Sequence, residues 1–358
     1  MSTDKYKVIG VMSGTSLDGL DLAFCEFEKE ALWKFKLIKA KTIAYDDQWR
    51  KRLKEAVTLD LEELAMLDSD FGKYIGEQIN QFREEEKITF DYISSHGHTV
   101  HHQPQKGITI QIGSGLEIRN ATGVSVICDF RKGDVALGGQ GAPLVPIGDR
   151  LLFEEMDYCL NLGGIANISF EKKNERIAFD ICACNIVLNL LAEKLGSSFD
   201  KDGAFANGGE LNKKLLDELN ELPYYLKAHP KSLGREDIEK EVFPILNKYE
   251  IKSEDLLRTF CKHIAIQVEK VIESEVSNSK MLITGGGTLN HFLLKQIEDE
   301  CHLKIVVPAK AIIDFKEAII FGFLGVLKIR NENNCLSSVT GASKDSSGGD
   351  VFLTNQNQ

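Results

Sequence analysis

The sequence predicts an α/β protein made of two related halves. Three observations carry that reading. Short apolar, alternating runs come first and helical periodicity follows, and this happens twice along the chain. Each half opens on a strand, a glycine-bearing tip and a second strand, at residues 8–27 and 157–170. The 358 residues, 43% of them hydrophobic, suffice for two ordinary cores and exclude a disordered chain.

The elements follow in order. Residues 6–12, 20–27 and 32–43 read as three successive strands. From residue 46 to 85, Leu53, Val57, Leu61, Leu64, Leu67 and Phe71 recur at three- and four-residue spacing, which predicts helix. Residues 89–96 return to strand, and 107–112 and 124–128 are extended. A second unit starts near residue 126. Its hairpin, at 157–170, is followed by a charged turn at 171–176, a strand at 176–181 and a helix at 185–195. That repeats the layout of the N-terminus without sequence identity, and predicts two halves facing each other. Helices are expected at 209–220, 253–276, 290–300 and 316–329, the apolar run from Ala318 to Leu327 being buried. The last 25 residues, rich in Ser, Gly, Asn and Asp, read as partly loose. The domains expected are residues 1–125 with 331–358, and residues 126–330.

Composition removes several function classes. Net charge is -11 with no Lys/Arg-rich block, so a nucleic acid partner is not expected. No run approaches the roughly 18 apolar residues of a membrane span. The polar start leads straight into a strand and is not a secretory signal. The eight cysteines are scattered, which fits reduced thiols in the cytoplasm. Cys182 and Cys184 form a lone C-x-C with no second pair for zinc.

Chemistry concentrates at a few places. The tip between the first two strands holds Gly14, Thr15, Ser16, Leu17, Asp18, Gly19, Leu20 and Asp21. Gly14 and Gly19 lack a Cβ, so an anion can approach the main chain. Ser13, Thr15 and Ser16 offer hydroxyls to phosphate. Asp18 and Asp21 repel bare phosphate, and a cation such as Mg²⁺ between them and the anion resolves the conflict. No Gly-Lys-Ser/Thr follows, so this is not a Walker loop; an ordinary tight hairpin is the competing reading. Gly163 and Gly164 form the second tip. Gly285, Gly286 and Gly287 lead from a buried strand into a helix, a turn that admits a flat or anionic ligand.

Four of the eight histidines lie between His96 and His102. Metal binding needs a convergent partner, which the sequence does not supply; polar residues at a strand end are the preferred reading. Arg131 can clamp a carboxylate or phosphate, or pair with Asp129 or Asp134. Asp180 closes a strand, where ligand crevices of α/β proteins lie. It is the candidate general base, against a structural acid capping the next helix. Asn185 stands where that helix begins and is placed to cap it. Glu317 is expected in the first turn of the helix that follows it.

Seven ordered segments, spread over residues 6–343, resemble the anhydro-N-acetylmuramic acid kinase family. They are Gly10-Val-Met-Ser-Gly-Thr-Ser-Leu-Asp-Gly-Leu-Asp21, Ser95-His-Gly-His-Thr99, Thr109-Ile-Gln-Ile-Gly113, Asp129-Phe-Arg131, Gly138-Gly-Gln-Gly-Ala-Pro143, Asn161-Leu-Gly-Gly-Ile-Ala-Asn167 and Leu282-Ile-Thr-Gly-Gly-Gly287. The resemblance implies a two-domain actin-like (ribonuclease H-like) ATPase fold with an interdomain cleft, ATP and Mg²⁺, and a homodimer. It implies hydrolytic opening of a 1,6-anhydro sugar with phosphorylation of its 6-oxygen, and Asp180 as the base that activates water. It also places His96, Thr99, Arg131 and Glu317 on the sugar side. The family motif Phe-Asp-Thr-Gly-Pro-Gly-Asn is here Phe179-Asp-Ile-Cys-Ala-Cys-Asn185, with Asp and Asn kept and the four residues between them replaced. The rival readings are an actin-like kinase for another sugar, a catalytically impaired ATP-binding homologue, and a histidine-metal hydrolase.

Overall fold

The computed structural model describes residues 4–272 and 279–354. β1 (Asp4–Ser13), β2 (Gly19–Lys29) and β3 (Trp33–Ala44) form an antiparallel meander. β4 (Tyr92–Gln103) lies parallel to β1, and β6 (Ser125–Cys128) lies parallel to β4. β5 (Ile108–Ile112) turns back against β4, and Asp350–Phe352 pairs antiparallel with β6. Both faces of the sheet's centre are covered, which is why residues 8–11 of β1 and 22–25 of β2 are buried without a break, whereas β3 alternates apolar residues with lysines. On one face Ile9, Val11, Leu20, Leu22 and Phe24 meet Leu64, Leu67, Phe71, Ile75 and Ile79 of the helix Leu61–Glu86. On the other, Phe27 packs against Phe323 of the helix Lys310–Ile329, ring centroids 5.3 Å apart.

The second sheet repeats the plan. β7 (Tyr158–Leu162), β8 (Ile165–Lys172) and β9 (Glu175–Ala183) are antiparallel, and β10 (Lys280–Thr284) and β11 (Lys304–Val306) add parallel strands beside β7. The order β9-β8-β7-β10-β11 mirrors β3-β2-β1-β4-β6 in sequence and direction. This shared order is the ribonuclease H-like arrangement of actin-like ATPases, so the repeat inferred from layout alone is real at the level of topology. The β8–β9 turn uses Lys173 and Asn174, with φ of 52° and 67°, as a two-residue hairpin turn of the kind that matches strand twist.

The chain divides into Met1–Phe153 with Asp314–Gln358, and Glu154–Ile313. The breaks expected at 125/126 and 330/331 therefore move. Residues 126–128 belong to β6 and are hydrogen-bonded into the first sheet. Residues 314–329 belong to a helix that packs on β1, where Gly10 meets Ala318 and Gly322.

Other expectations shift for identifiable reasons. The long helix of residues 46–85 is interrupted: Asp47–Glu55 is followed by a short 3₁₀ turn and then by Leu61–Glu86. Asp60 restarts it, accepting from the N–H groups of Glu62 and Glu63 while the Glu63 carboxylate returns to the Asp60 N–H. The helix expected at 209–220 begins at Lys213, capped by Asn212. A helix at Arg235–Asn247, carrying an internal Pro244, was not expected. The helix expected over 253–276 spans Ser253–Glu269, and residues 273–276 lie outside the described residues. Nor is the tail loose: Asn334, fully buried, bonds Leu324 O and both the N–H and C=O of Gly348, while residues 355–358 lie outside the described residues. No described helix is long and apolar enough to cross a membrane.

Candidate functional site

In the unit Glu154–Ile313, Asp180 lies near the end of β9, opposite Asn167 of β8. Its Oδ2 accepts from the Leu233 N–H at 2.9 Å, and its backbone is held by Lys231 O (3.3 Å) and the Tyr224 hydroxyl (2.6 Å). Its Oδ1 has no hydrogen-bond partner among the described residues. Burial raises the carboxyl pKa, and the Leu233 bond offsets part of that rise. A partly desolvated carboxylate with one oxygen pinned and one free is suited to accept a proton. Asp180 does not cap the following helix. The N–H groups of Cys184, Asn185 and Ile186 go instead to the carbonyls of Gly164, Gly163 and Gly164.

Those carbonyl bonds turn the Gly163–Gly164 tip into a brace for the helix Asn185–Glu193, while the N–H groups of both glycines keep no acceptor among the described residues. Asn185, expected as the cap, sends its side-chain N–H to Leu162 O at 2.8 Å and ties the tip to β7. Past β10, Gly285 (φ 87°) and Gly287 press against Leu162, where a Cβ would come within 2.7 Å and 2.6 Å. Gly286 is different: a Cβ there would meet only Asn185 Nδ2, at 3.6 Å. Its open side faces a cavity of about 360 Å³ lined by Asn185, Leu188, Phe199, Gly286, Leu289 and Asn290. That volume, at the carboxyl end of a parallel strand, suits a nucleoside. The sequence reading found the three glycines but missed Phe199, Leu188 and Asn290, which only the fold brings to them.

The segment after Asp180 is strand, not loop. Ile181, Cys182, Ala183 and Cys184 are all buried in the core of this unit. Burial pushes the Cys182 thiol well above its ordinary range and the Cys184 thiol up to about 12, so both are inert protonated thiols. All eight cysteines are free and buried.

In the unit Met1–Phe153 with Asp314–Gln358, the β1–β2 loop exposes Thr15, Ser16 and Asp18. The N–H groups of Gly14, Thr15 and Ser16 have no acceptor among the described residues, and Leu17, at φ 60°, donates to Gly14 O. Three free N–H groups in a row form an anion-facing concavity. Gly14 is open, with nothing nearer to a Cβ than Ser16 Oγ at 3.5 Å; Gly19 is not, since Ile43 O lies 2.5 Å from that position. Of the two, only Gly14 thus leaves room for a ligand to approach, while Gly19 serves the fit of β2 on β3. Two further expectations are corrected. Ser13 is buried and already engaged by Tyr45 Oη (2.7 Å) and His98 Nδ1 (3.0 Å), so it does not face a phosphate. Leu20 is wholly buried in the core and pairs with Ser13.

Asp21 accepts from Thr42 Oγ1 at 2.5 Å. Burial raises its pKa, the Thr42 bond lowers it, and the carboxylates of Asp314 and Asp18 raise it further. Such a crowd of like charges favours a cation. Among the described residues no three His, Cys, Asp or Glu side chains converge on one point. Two carboxylates with water completing the shell match the habits of Mg²⁺.

The histidine run lies inside β4 rather than at its end. His96 donates from Nδ1 to Gly97 O (2.9 Å) and accepts at Nε2 from Arg131 (2.8 and 3.1 Å). Burial and the adjacent guanidinium hold its pKa well below the usual range, so it is neutral. His98 and His102 bond Ser13 and Thr109. Arg131 pairs with neither Asp129, which binds Lys132 at 2.7 Å, nor Asp134. Its Nη1 donates to Gly141 O at 2.7 Å. Asp134, fully buried, takes the Gly141 N–H and the Thr340 hydroxyl, both at 2.7 Å, and so holds the glycine loop that holds Arg131. Glu317 sits well inside the helix Lys310–Ile329, not in its first turn. The surrounding protein raises its pKa, while Arg131 pulls it down and Asp21 pushes it up. His96, Arg131, Glu317 and Asp21 therefore share one electrostatic neighbourhood. Thr99 lies farther along β4 and accepts from Gln111 (3.3 Å).

A sequence profile described as anhydro-N-acetylmuramic acid kinase matches residues 6–354. Curated proteins of that name are similar over almost their full length. That of Sulfurimonas denitrificans is 32% identical, covering 96% of this chain and 98% of its own. The Vibrio vulnificus protein is 33% identical, covering 98% and 99%. The Shewanella denitrificans protein is 34% identical, covering 96% and 97%. Among solved structures, an ROK-family glucokinase from Streptomyces griseus in complex with glucose and AMPPNP aligns over 90% of this chain and 99% of its own, at 10% identity and a TM-score of 0.39. With the profile matched from one end of the fold to the other, this chain belongs to the anhydro-N-acetylmuramic acid kinase family.

Proposed function

We propose that the chain uses ATP and Mg²⁺ to open the internal ether of 1,6-anhydro-N-acetylmuramic acid with water and to phosphorylate the released 6-oxygen, giving N-acetylmuramic acid 6-phosphate and ADP. The observation that carries this is Asp180: a strand-end carboxylate of raised pKa with one oxygen free, in a chain of this kinase family. The 6-oxygen of the substrate is an ether and has no proton for a base to remove. The base must act on water instead. Asp180 takes a proton from water, the water oxygen bonds C1, and the C1–O6 bond breaks. O6 then bonds the γ-phosphorus as the bond to ADP breaks.

The free N–H groups of Gly14, Thr15 and Ser16, and those of Gly163 and Gly164, are assigned to phosphate oxygens. The cavity beside Gly286 is assigned to the nucleoside. Asp18 and Asp21 are assigned to Mg²⁺, which when bound neutralises phosphate charge. His96, Thr99, Arg131 and Glu317 are assigned to the sugar. Free, buried cysteines support a reducing cytoplasmic setting; the family resemblance adds a place in peptidoglycan recycling and a homodimer.

Turnover in ¹⁸O-labelled water tests the reaction. The label should enter the sugar product well beyond the exchange shown by preformed product in the same buffer, and excess chelator should stop turnover. Phosphorylation without label would point to an ordinary sugar hydroxyl as acceptor, and ATP binding without product to an impaired homologue. Arg131→Lys tests the sugar side. A lysine cannot serve His96 and Gly141 at once. Because those two bonds set the geometry of the groups assigned to the sugar, losing one should raise the sugar KM roughly tenfold or more and leave the ATP KM unchanged. Steady-state kinetics with each substrate varied separates the two.

A further inference from the structure

The unit Glu154–Ile313 has a second cavity, of about 320 Å³, that nothing above uses. Phe179 and Ile181, the neighbours of Asp180 in β9, line it, and Asp180 does not. The rings of Phe179 and His229 lie nearly parallel there, 11° apart with centroids at 5.6 Å. Lys227, Lys231 and Lys270 are on its wall. The Lys231 ammonium stands 4.7 Å from the Tyr224 ring centre and 5.6 Å from that of Phe179, and the Lys227 ammonium is 5.6 Å from the same Tyr224 ring. Among the described residues none that lines it is acidic, in a chain with 54 Asp and Glu against 43 Lys and Arg.

Burial disfavours the charged Lys231 ammonium, and repulsion from the neighbouring Lys227 ammonium adds to the cost. Both effects lower the Lys231 pKa. An anion in the cavity would relieve both, and the paired rings offer an apolar platform for its body. We propose that this cavity binds a small phosphate ester carried on a ring, the ring against Phe179 and His229 and the phosphate among Lys227, Lys231 and Lys270. The wall that supplies Lys227, His229 and Lys231 continues into the backbone that holds Asp180, through Lys231 O and the Leu233 N–H. A bound ester therefore steadies residues 224–234. The proposal stands independently of the reaction assigned above, because its readout is binding.

The test is calorimetric titration of glucose 6-phosphate into protein already saturated with a non-hydrolysable ATP analogue, which occupies the phosphate-facing loops. Binding is expected with a Kd below about 1 mM. Lys227→Ala and Lys270→Ala should each weaken it at least tenfold. Lys344→Ala, an exposed lysine of the other unit, should leave it unchanged. Inorganic phosphate should bind at least tenfold more weakly than the ester, and the ester should slow amide exchange in residues 224–234. Absence of binding, binding untouched by both cavity lysine variants, or equal affinity for inorganic phosphate would each overturn the proposal.

Discussion

Asp180→Asn should lose turnover almost completely while still binding ATP. A positioned general base is worth roughly 10²–10⁴ in rate, and an amide cannot accept the water proton. Binding survives because the residues assigned to ATP are backbone N–H groups and the cavity beside Gly286, none of which involves the Asp180 carboxylate. Stability should not fall either. The folded protein raises the Asp180 pKa, so folding favours the protonated carboxyl and this group's contribution declines as pH rises through the titration. A neutral amide avoids that cost, and its carbonyl can still accept from the Leu233 N–H. Activity has the opposite pH sense. The base works only when ionised, so the wild-type rate should fall as pH drops through a value above the ordinary aspartate range of about 3.9. Single-turnover kinetics, nucleotide titration and thermal melting of the variant provide the check. Near-normal product formation would remove Asp180 from the mechanism.

Gly10→Ala should cost about 3 kcal/mol, the upper end for overpacking. A Cβ at Gly10 would stand 1.9 Å from the Ala318 carbonyl oxygen and 2.9 Å from the Gly322 nitrogen. Both obstacles are backbone and cannot rotate away, so β1 or the helix Lys310–Ile329 must move. At roughly 2–4 °C per kcal/mol for a unit of this size, the first melting transition should fall by about 6–12 °C. Gly14→Ala is the contrast, because its Cβ has room. It should melt like the wild type yet raise the ATP KM, since the methyl group occupies the approach to the loop N–H groups. Scanning calorimetry with nucleotide kinetics on both variants separates packing from ligand approach. Equal melting of Gly10→Ala and wild type would show that the helix yields freely.

Much of this was legible in the chain. The two hairpins, their glycine tips and the buried helix are local patterns with a period of two or near four, and they fold where the periodicity puts them. The loop residues Gly14 to Asp18, Asp180 and the glycines after β10 are likewise local: each sits where a strand ends. What failed was whatever depends on a partner distant in sequence. Ser13 reads as a phosphate donor until Tyr45 and His98 are seen to occupy it. Arg131 reads either as an anion clamp or as an ion pair with Asp129 or Asp134, and only the fold removes the second reading by giving it His96 and Gly141 as partners. The tail reads as partly loose, yet Asn334 and the strand Asp350–Phe352 anchor its described residues. Leu233, whose N–H holds the proposed base, carries no side-chain signal at all.

By itself, then, the amino-acid order determined the α/β class, the doubled hairpin plan and the family, and it named the candidate residues proposed for the chemistry, because each is written in short-range pattern. Only the tertiary structure decided the boundaries at Phe153 and Ile313, the burial of the segment after Asp180, the hold on Arg131 and the grouping of Phe199 with Gly286. The physical reason is that burial and hydrogen-bond partnership are set by which surfaces meet on folding, and a linear pattern does not name the surface that comes to lie against it.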